Sequence, residues 1–281
     1  YFSTNFKYYK MKRVLRLLTI FIFLFSLAQT EVYAQKKSRK MIKADNAFDL
    51  EQYVKAAELY KKAYQKEKNR AVKAKIIFQQ AECYRLSGNN KRAESYYKRA
   101  IKAKYPYAQV HFFYAEVLRI QGDYEKAIPQ YQKYLQNQGI EESVAKELIK
   151  HDKRVEGHIP GELGLKSCEF ALKWKDLPTR YKVELMPLVN SRNSDYSPAF
   201  GNGEYTEMYF TSSRAGGLTD DIDQRTGEAF SDIYVIKKNK KEKWSAPEVV
   251  AAPINTKGHE GSVVLNKRGT VMYFTQCKVE K

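Results

Sequence analysis

The chain of 281 residues predicts an α + β multidomain protein: an N-terminal α–α solenoid of paired helices, followed by an incomplete all-β propeller. Three observations carry this expectation. Small and aromatic residues recur at intervals of 37 and 34 residues in the first half. The phrase Met-Tyr-Phe-Thr occurs twice in the second half, 64 residues apart. Between the halves, the apolar spacing changes from that of amphipathic helices to that of short strands.

Residues 1–34 stand before the first helix. Met11 opens "MKRVLRLLTIFIFLFSLAQTEVYAQ", with Lys12, Arg13 and Arg16 as a positive start. Leu17 to Ala28 is apolar apart from Thr19 and Ser26, and a small residue, Ala34, closes Val32-Tyr33-Ala34. This order predicts a signal peptide cleaved after Ala34. The apolar run is short of the roughly twenty residues that a spanning helix needs, so no transmembrane span is expected after cleavage. Residues 1–10 read as translation upstream of the true start.

Residues 35–160 form the predicted helical domain. The segments "EQYVKAAELYKKAY", "SGNNKRAESYYKRAI" and "QGDYEKAIPQYQKYL" align. Ala93 and Ala127 are 34 residues apart, and Ala56 precedes Ala93 by 37. Gly88 and Gly122 fall at the turns, where a left-handed backbone suits glycine. Tyr60, Tyr97 and Tyr131 follow those alanines by one helical turn and lie on the same face. The period and residue types resemble the tetratricopeptide repeat over roughly 38–137, although the first unit lacks the turn glycine. The amphipathic stretch "EESVAKELIKHDKRVEGHI" is expected to cap the stack.

Stacked helical pairs commonly bind a peptide on their concave face. Gln80, Tyr84, Arg85, His111 and Arg119 lie at polar or amphipathic first-helix positions and are the predicted partner-binding groove. Arg85 and Arg119 are equivalent across the period, so two guanidiniums would meet a carboxylate or backbone there. Residues 35–160 hold 27 basic and 15 acidic residues, whereas 161–281 hold 18 and 16. The net positive charge therefore favours an acidic or anionic partner for the first half. No nucleic-acid recognition motif accompanies it, and an exported chain rarely meets DNA.

Residues 161–182 read as a linker and 183–281 as the β region. "SPAF" and "SVVL" are predicted first strands, "EMYFTSS" and "VMYFTQC" second strands, "DIYVIKK" a third and "KWSAPEVV" a fourth. Gly- and Asn-rich turns join them. Four antiparallel strands per repeat is the pattern of a propeller blade. One blade and half of the next are present, so the chain is expected to be the N-terminal part of a longer protein. Ser197-Pro198, Gly203, Tyr209 to Ser212, Arg214 and Asp232-Ile233-Tyr234 resemble the WD-like repeat of the TolB type. Gly261-Ser262 departs from it.

The order of signal peptide, helical repeats, "CEFALKW", "NSDYSP", "YFTSSR", "TGEAFSDIY" and "INTKGHEG" resembles periplasmic OmpA-family proteins of Bacteroidetes, of the PorE kind. That resemblance implies a periplasmic, outer-membrane-associated scaffold of the type IX secretion and gliding machinery. It also implies envelope-protein partners for the helical groove and propeller, with peptidoglycan bound only through a C-terminal OmpA-like domain. The alternative is the accessory part of an exported, propeller-containing hydrolase or peptidase.

The residues themselves point to no catalytic, cofactor or metal site. His111, His151, His158 and His259 are scattered, and no nucleophile elbow or phosphate loop occurs. Cys83, Cys168 and Cys277 have neither metal-ligand spacing nor a disulfide pattern. Asp220, Asp221 and Asp223 offer oxygens suited to calcium but lack EF-hand spacing; the sequence leaves that loop open. Asp195, Asp232 and Glu260 begin strands, where carboxylates usually bind turn amides.

Overall fold

The computed structural model describes residues 38–136, 161–177, 179–219 and 221–277. The signal peptide, the expected cap at 141–159, His151, His158 and Asp220 lie outside them. Six helices run as three antiparallel pairs. They are α1 (Arg39–Asp49), α2 (Tyr53–Lys66), α3 (Arg70–Leu86), α4 (Asn90–Lys102), α5 (Gln109–Ile120) and α6 (Tyr124–Gln136).

Local chemistry sets the boundaries. Ser38 Oγ accepts the Met41 N–H at 3.2 Å, and Asn69 Oδ1 accepts from Ala71 and Val72. Asn89 does the same for Arg92. These side chains satisfy amide donors that have no partner inside the helix. Each pair turns through one C-terminal motif. Gly88 N–H reaches Arg85 O while Asn89 N–H reaches Tyr84 O, and Gly122 and Asp123 repeat this with Arg119 and Leu118. The first pair uses the same two bonds with Glu51, at φ 57°, where the others have glycine at φ 80°. The turn geometry is therefore kept without the glycine, at the steric cost of a side chain in the left-handed region.

The core follows the repeat. Ala56, Ala93 and Ala127 are fully buried, as are Tyr60, Tyr97 and Tyr131. Phe78 stacks on Tyr105 at 4.4 Å, and two apolar clusters meet across α3.

The segment expected as a linker contains a seventh helix, α7 (Glu162–Lys175). It packs antiparallel to α6, with Lys175 3.4 Å from Glu125 and Gly161 against Tyr134. Cys168 is buried in this contact. A Cβ on Gly164 would lie 2.4 Å from the Tyr131 ring, so only glycine lets the backbone come this close. Leu163, Phe170 and Trp174 of this helix are exposed. Gly164→Ala is expected to undock α7. Cys168 would then react with a thiol probe at a markedly higher rate while far-UV circular dichroism changes little.

The second half holds β1 (Asp195–Phe200), β2 (Glu207–Ser212), β3 (Asp232–Lys237) and β4 (Glu248–Val249) in one antiparallel sheet, in that order. A hairpin of β5 (Glu260–Leu265) and β6 (Met272–Gln276) follows. The expected fourth strand is shorter than 243–250. Only Glu248 and Val249 pair with β3, besides a lone Lys238–Trp244 bridge. Pro247 has no N–H to give the ladder between them. Val189, Met208, Phe210, Tyr234 and Ile236 form the core, with Trp244 against it.

The two hairpins share one plan. Tyr196–Thr211, Ala199–Tyr209 and Phe200–Met208 correspond to Gly261–Thr275, Val264–Tyr273 and Leu265–Met272. Both first strands bulge at a serine of positive φ, Ser197 at 51° and Ser262 at 53°. Both turns close through asparagine: Asn202 Nδ2 donates to Thr206 Oγ1 at 2.9 Å, and Asn266 Nδ2 to Thr270 Oγ1 at 2.9 Å. The second hairpin lies on the first sheet, with Ser262 N–H 3.1 Å from Thr211 Oγ1. The sheets stay separate and open-edged.

Candidate functional site

The first-helix positions are built into the stack. Glu82 Oε2 lies 2.7 Å from Arg85 Nη2, and Glu82 Oε1 accepts the Tyr97 hydroxyl. One unit on, Glu116 Oε2 lies 2.8 Å from Arg119 Nη2 and Glu116 Oε1 accepts from Tyr131. In the first unit Tyr60 donates to Asp45 at 2.8 Å. Each tyrosine thus ties its helix to an acid fifteen residues earlier on the partner helix. Burial, then the facing carboxylate, raises the pKa of all three phenols, so they stay protonated donors at neutral pH.

Each of the five predicted groove residues makes contacts within the stack. Arg85 has only 8% of its side chain exposed and lies over the Phe113 ring at 4.4 Å. Gln80 is buried, with Nε2 3.5 Å from Ala57 O. Tyr84 packs on Tyr96 at 4.9 Å, beneath Arg92. His111 Nδ1 is 2.8 Å from Gln130 Oε1. Arg119 is the most open of the two arginines, at 36%, and its pKa is raised by the hydrogen bond to Glu116. For the two arginines, Glu-x-x-Arg sets the acid and the guanidinium on one helix face, where the same carboxylate accepts the tyrosine hydroxyl. The signal was in the sequence, as Glu82 with Tyr97 and Glu116 with Tyr131 at one spacing.

The strand-start carboxylates organise the β region. Asp195 accepts from Ser191 N–H at 2.5 Å and Ser212 Oγ at 2.6 Å, and pairs with Arg214 at 2.7 Å. Burial opposes its charge, but these donors outweigh it and hold the carboxyl below its usual range. Glu260, equivalent in the second hairpin, accepts from Thr256 N–H at 3.0 Å and Thr256 Oγ1 at 2.6 Å. Asp232 is buried; Oδ2 accepts from Leu218 N–H at 2.9 Å, whereas Oδ1 has no partner among the described residues. Burial raises its pKa, and Glu260 adds to this.

For an acid whose folded pKa is raised, the cost is present when it is ionised and disappears as pH falls through the folded pKa. Asp232→Asn is therefore expected to gain about 1 kcal/mol at neutral pH. The gain should vanish in mild acid, read by urea melts at both pH values.

Ser231, His259 and Asp223 are the residue types of a hydrolytic triad. Ser231 Oγ is 3.1 Å from His259 Nδ1, and His259 Nε2 is 3.6 Å from Asp223 Oδ2. Ser231 is nonetheless buried, its hydroxyl donates to Glu260 O at 2.9 Å, and its own N–H also points at Nδ1. The group joins the segment before β3 to β5, with its serine buried.

That loop is closed by its own polar groups. Asp221 accepts from Thr219 at 3.0 Å, and Asp223 from Arg225 N–H at 2.8 Å. Among the described residues no three His, Cys, Asp or Glu side chains are placed to hold a metal ion. The loop reaches the first helical turn instead. Gln224 O accepts Val54 N–H at 3.1 Å, where α2 lacks a side-chain cap, and Arg225 pairs with Glu51 at 3.2 Å.

A tetratricopeptide repeat family model matches residues 78–139. The chain contains tetratricopeptide repeats. Among solved structures it is similar to the Sgt2 TPR domain from Aspergillus fumigatus, at 16% identity. That likeness covers 52% of this chain and 87% of the other, with a TM-score of 0.38. No curated protein matches. Tetratricopeptide arrays are in general non-catalytic interaction modules, and the repeats here have that build. No described helix is long and apolar enough to cross a membrane.

Proposed function

We propose that the protein is a non-catalytic scaffold of the cell envelope, binding protein partners through its helical repeats and its β region. The tetratricopeptide stack is the observation that supports this most. Glu82 with Arg85, Glu116 with Arg119, and the buried Tyr60, Tyr97 and Tyr131 are bonded within the stack, so recognition draws mainly on shape and on the charges that remain at the surface. The β region reads as the first blade of a propeller and half of the second, supported by the shared register and asparagine latch of the two hairpins. Docking on the first-helix face is kept as part of this proposal for the partly exposed Tyr84, His111 and Arg119, whereas the buried Gln80 and Arg85 support that face from within.

In this reading the protein works in the periplasm, associated with the outer membrane, as a component of the type IX secretion and gliding machinery. An OmpA-like domain further along the same protein would attach it to peptidoglycan. Two measurements test it together: the coding sequence beyond Lys281, and fractionation of cells expressing the tagged protein. A downstream OmpA-like domain and release from sacculi by muramidase are expected. A hydrolase domain downstream, or a cytoplasmic protein with an intact leader, would overturn it.

A further inference from the structure

The second helices carry cations at two equivalent positions in all three repeats. Lys55, Arg92 and Lys126 form one row, at the third residue of α2, α4 and α6. Lys62, Arg99 and Lys133 form another, seven residues on. All six are exposed. Seven residues are two turns, so the rows share a face and lie about 10 Å apart along each helix.

Packing does not account for the first row. Among the described residues its members meet the surface beside them: Lys55 Nζ is 3.0 Å from Gln52 Oε1, Lys126 Nζ 3.0 Å from Asp123, and Arg92 lies 5.5 Å from the Tyr84 ring. Exposed contacts of this kind contribute little. The helix dipole disfavours a cation in the first turn, and the third position is where glutamate stabilises a helix. Neither α2 nor α4 has an acid in its first turn. Three repeats thus place the less favourable charge at the same position. The second row, near the helix C-termini, is favoured by the dipole and completes the patch.

The patch also shows what it suits. No large apolar side chain of α2, α4 or α6 is exposed among the described residues. A bilayer-inserting face needs such side chains, and a single-stranded nucleic-acid platform needs open aromatics. We propose that the outer face of the second helices docks an acidic polypeptide segment, whose carboxylates meet the first-row cations Lys55, Arg92 and Lys126, with Lys62 and Arg99 of the second row beside them. The surface lies on the second helices, adjoining the first-helix face only where Arg92 covers Tyr84, and does not depend on the envelope assignment.

The test uses the full chain and a fluorescent oligoglutamate peptide of about fifteen residues, by anisotropy at about 0.15 M salt. K55E/R92E/K126E is expected to weaken binding at least about tenfold. K43E/K75E/K166E, with the same change in net charge on exposed residues elsewhere, is expected to change it less than about twofold. The first variant should also melt at a higher temperature, because an acid now sits at each first turn. K55Q/R92Q/K126Q should bind with intermediate affinity, which removes new repulsion as the explanation.

Equal losses in the row variant and the control would overturn the proposal, as would no binding by the parent chain. So would tighter binding to phosphatidylglycerol vesicles or duplex DNA than to the peptide. Such failures leave the scaffold reading to its own test by fractionation.

Discussion

Arg214→Ala is expected to destabilise the β region by about 3–5 kcal/mol, the loss usual when one partner of a buried ion pair is removed. The side chain is only 17% exposed and holds several things at once. Its Nη2 donates to Asp195 Oδ1 at 2.7 Å and to Val189 O at 2.5 Å, and its Nε donates to Ser212 Oγ at 2.7 Å. The guanidinium also lies 5.1 Å from both the Phe210 and Tyr234 ring centres. Truncation leaves a buried carboxylate with less to offset its desolvation, and an unsatisfied carbonyl. Arg214→Lys should recover little, because a single ammonium cannot serve the three acceptors that the planar fork reaches.

Urea denaturation followed through Trp244, which packs on this core, reads the effect, with Trp174 replaced by Phe in every variant so that the signal is clean. A loss under about 1 kcal/mol would mean that the Asp195 environment is held by its serine donors alone.

The same pair gives a pH signature. The folded pKa of Asp195 is depressed, so its contribution is present above the unfolded carboxylate range. It is lost as pH falls through the folded value. The parent chain should therefore lose β-region stability on acidification, and Arg214→Ala should show a flatter acid limb.

Glu82→Ala is the second large effect, again about 3–5 kcal/mol, now in the helical half. It leaves Arg85 charged and nearly buried and takes the acceptor from the fully buried Tyr97 hydroxyl. Glu116→Ala removes the equivalent acid, but Arg119 there is 36% exposed and can be rehydrated. Its cost should be clearly smaller, since solvent screens an open charge. Thermal melts at 222 nm rank the two. If Glu116→Ala costs as much as Glu82→Ala, exposure is not what sets the worth of these acids. Double replacement by Glu82→Leu with Arg85→Met should recover most of the loss, because it removes both charges together.

Much of the architecture could be read from residue spacing. Ala93 and Ala127 announced the helical pairs, and the two Met-Tyr-Phe-Thr phrases announced hairpins that prove to share a bulge and a turn latch. The carboxylates at strand starts bind loop donors, as their positions implied. The groove was less legible. Polar residues on a first helix look alike in sequence whether they face solvent or a neighbour. Arg85 faces Phe113, and Gln80 faces Ala57 O; both contacts cross between repeats. The helix at 162–175 was hidden for a related reason. Its exposed Phe170 and Trp174 blur the apolar period, while its docking depends on Gly164, which has no side chain to register in a pattern.

What the chain determines by itself is therefore local and periodic: helix and strand boundaries, turn chemistry, and the repetition of each unit. These follow from interactions between residues close in sequence or related by a fixed offset. What only the tertiary structure decided is which polar groups are consumed. Burial and partner distance belong to the packed molecule, and they turned the expected arginine pair into an internal clasp. They also placed Ser231 and His259 in a latch, and left the cations of the second helices facing outward.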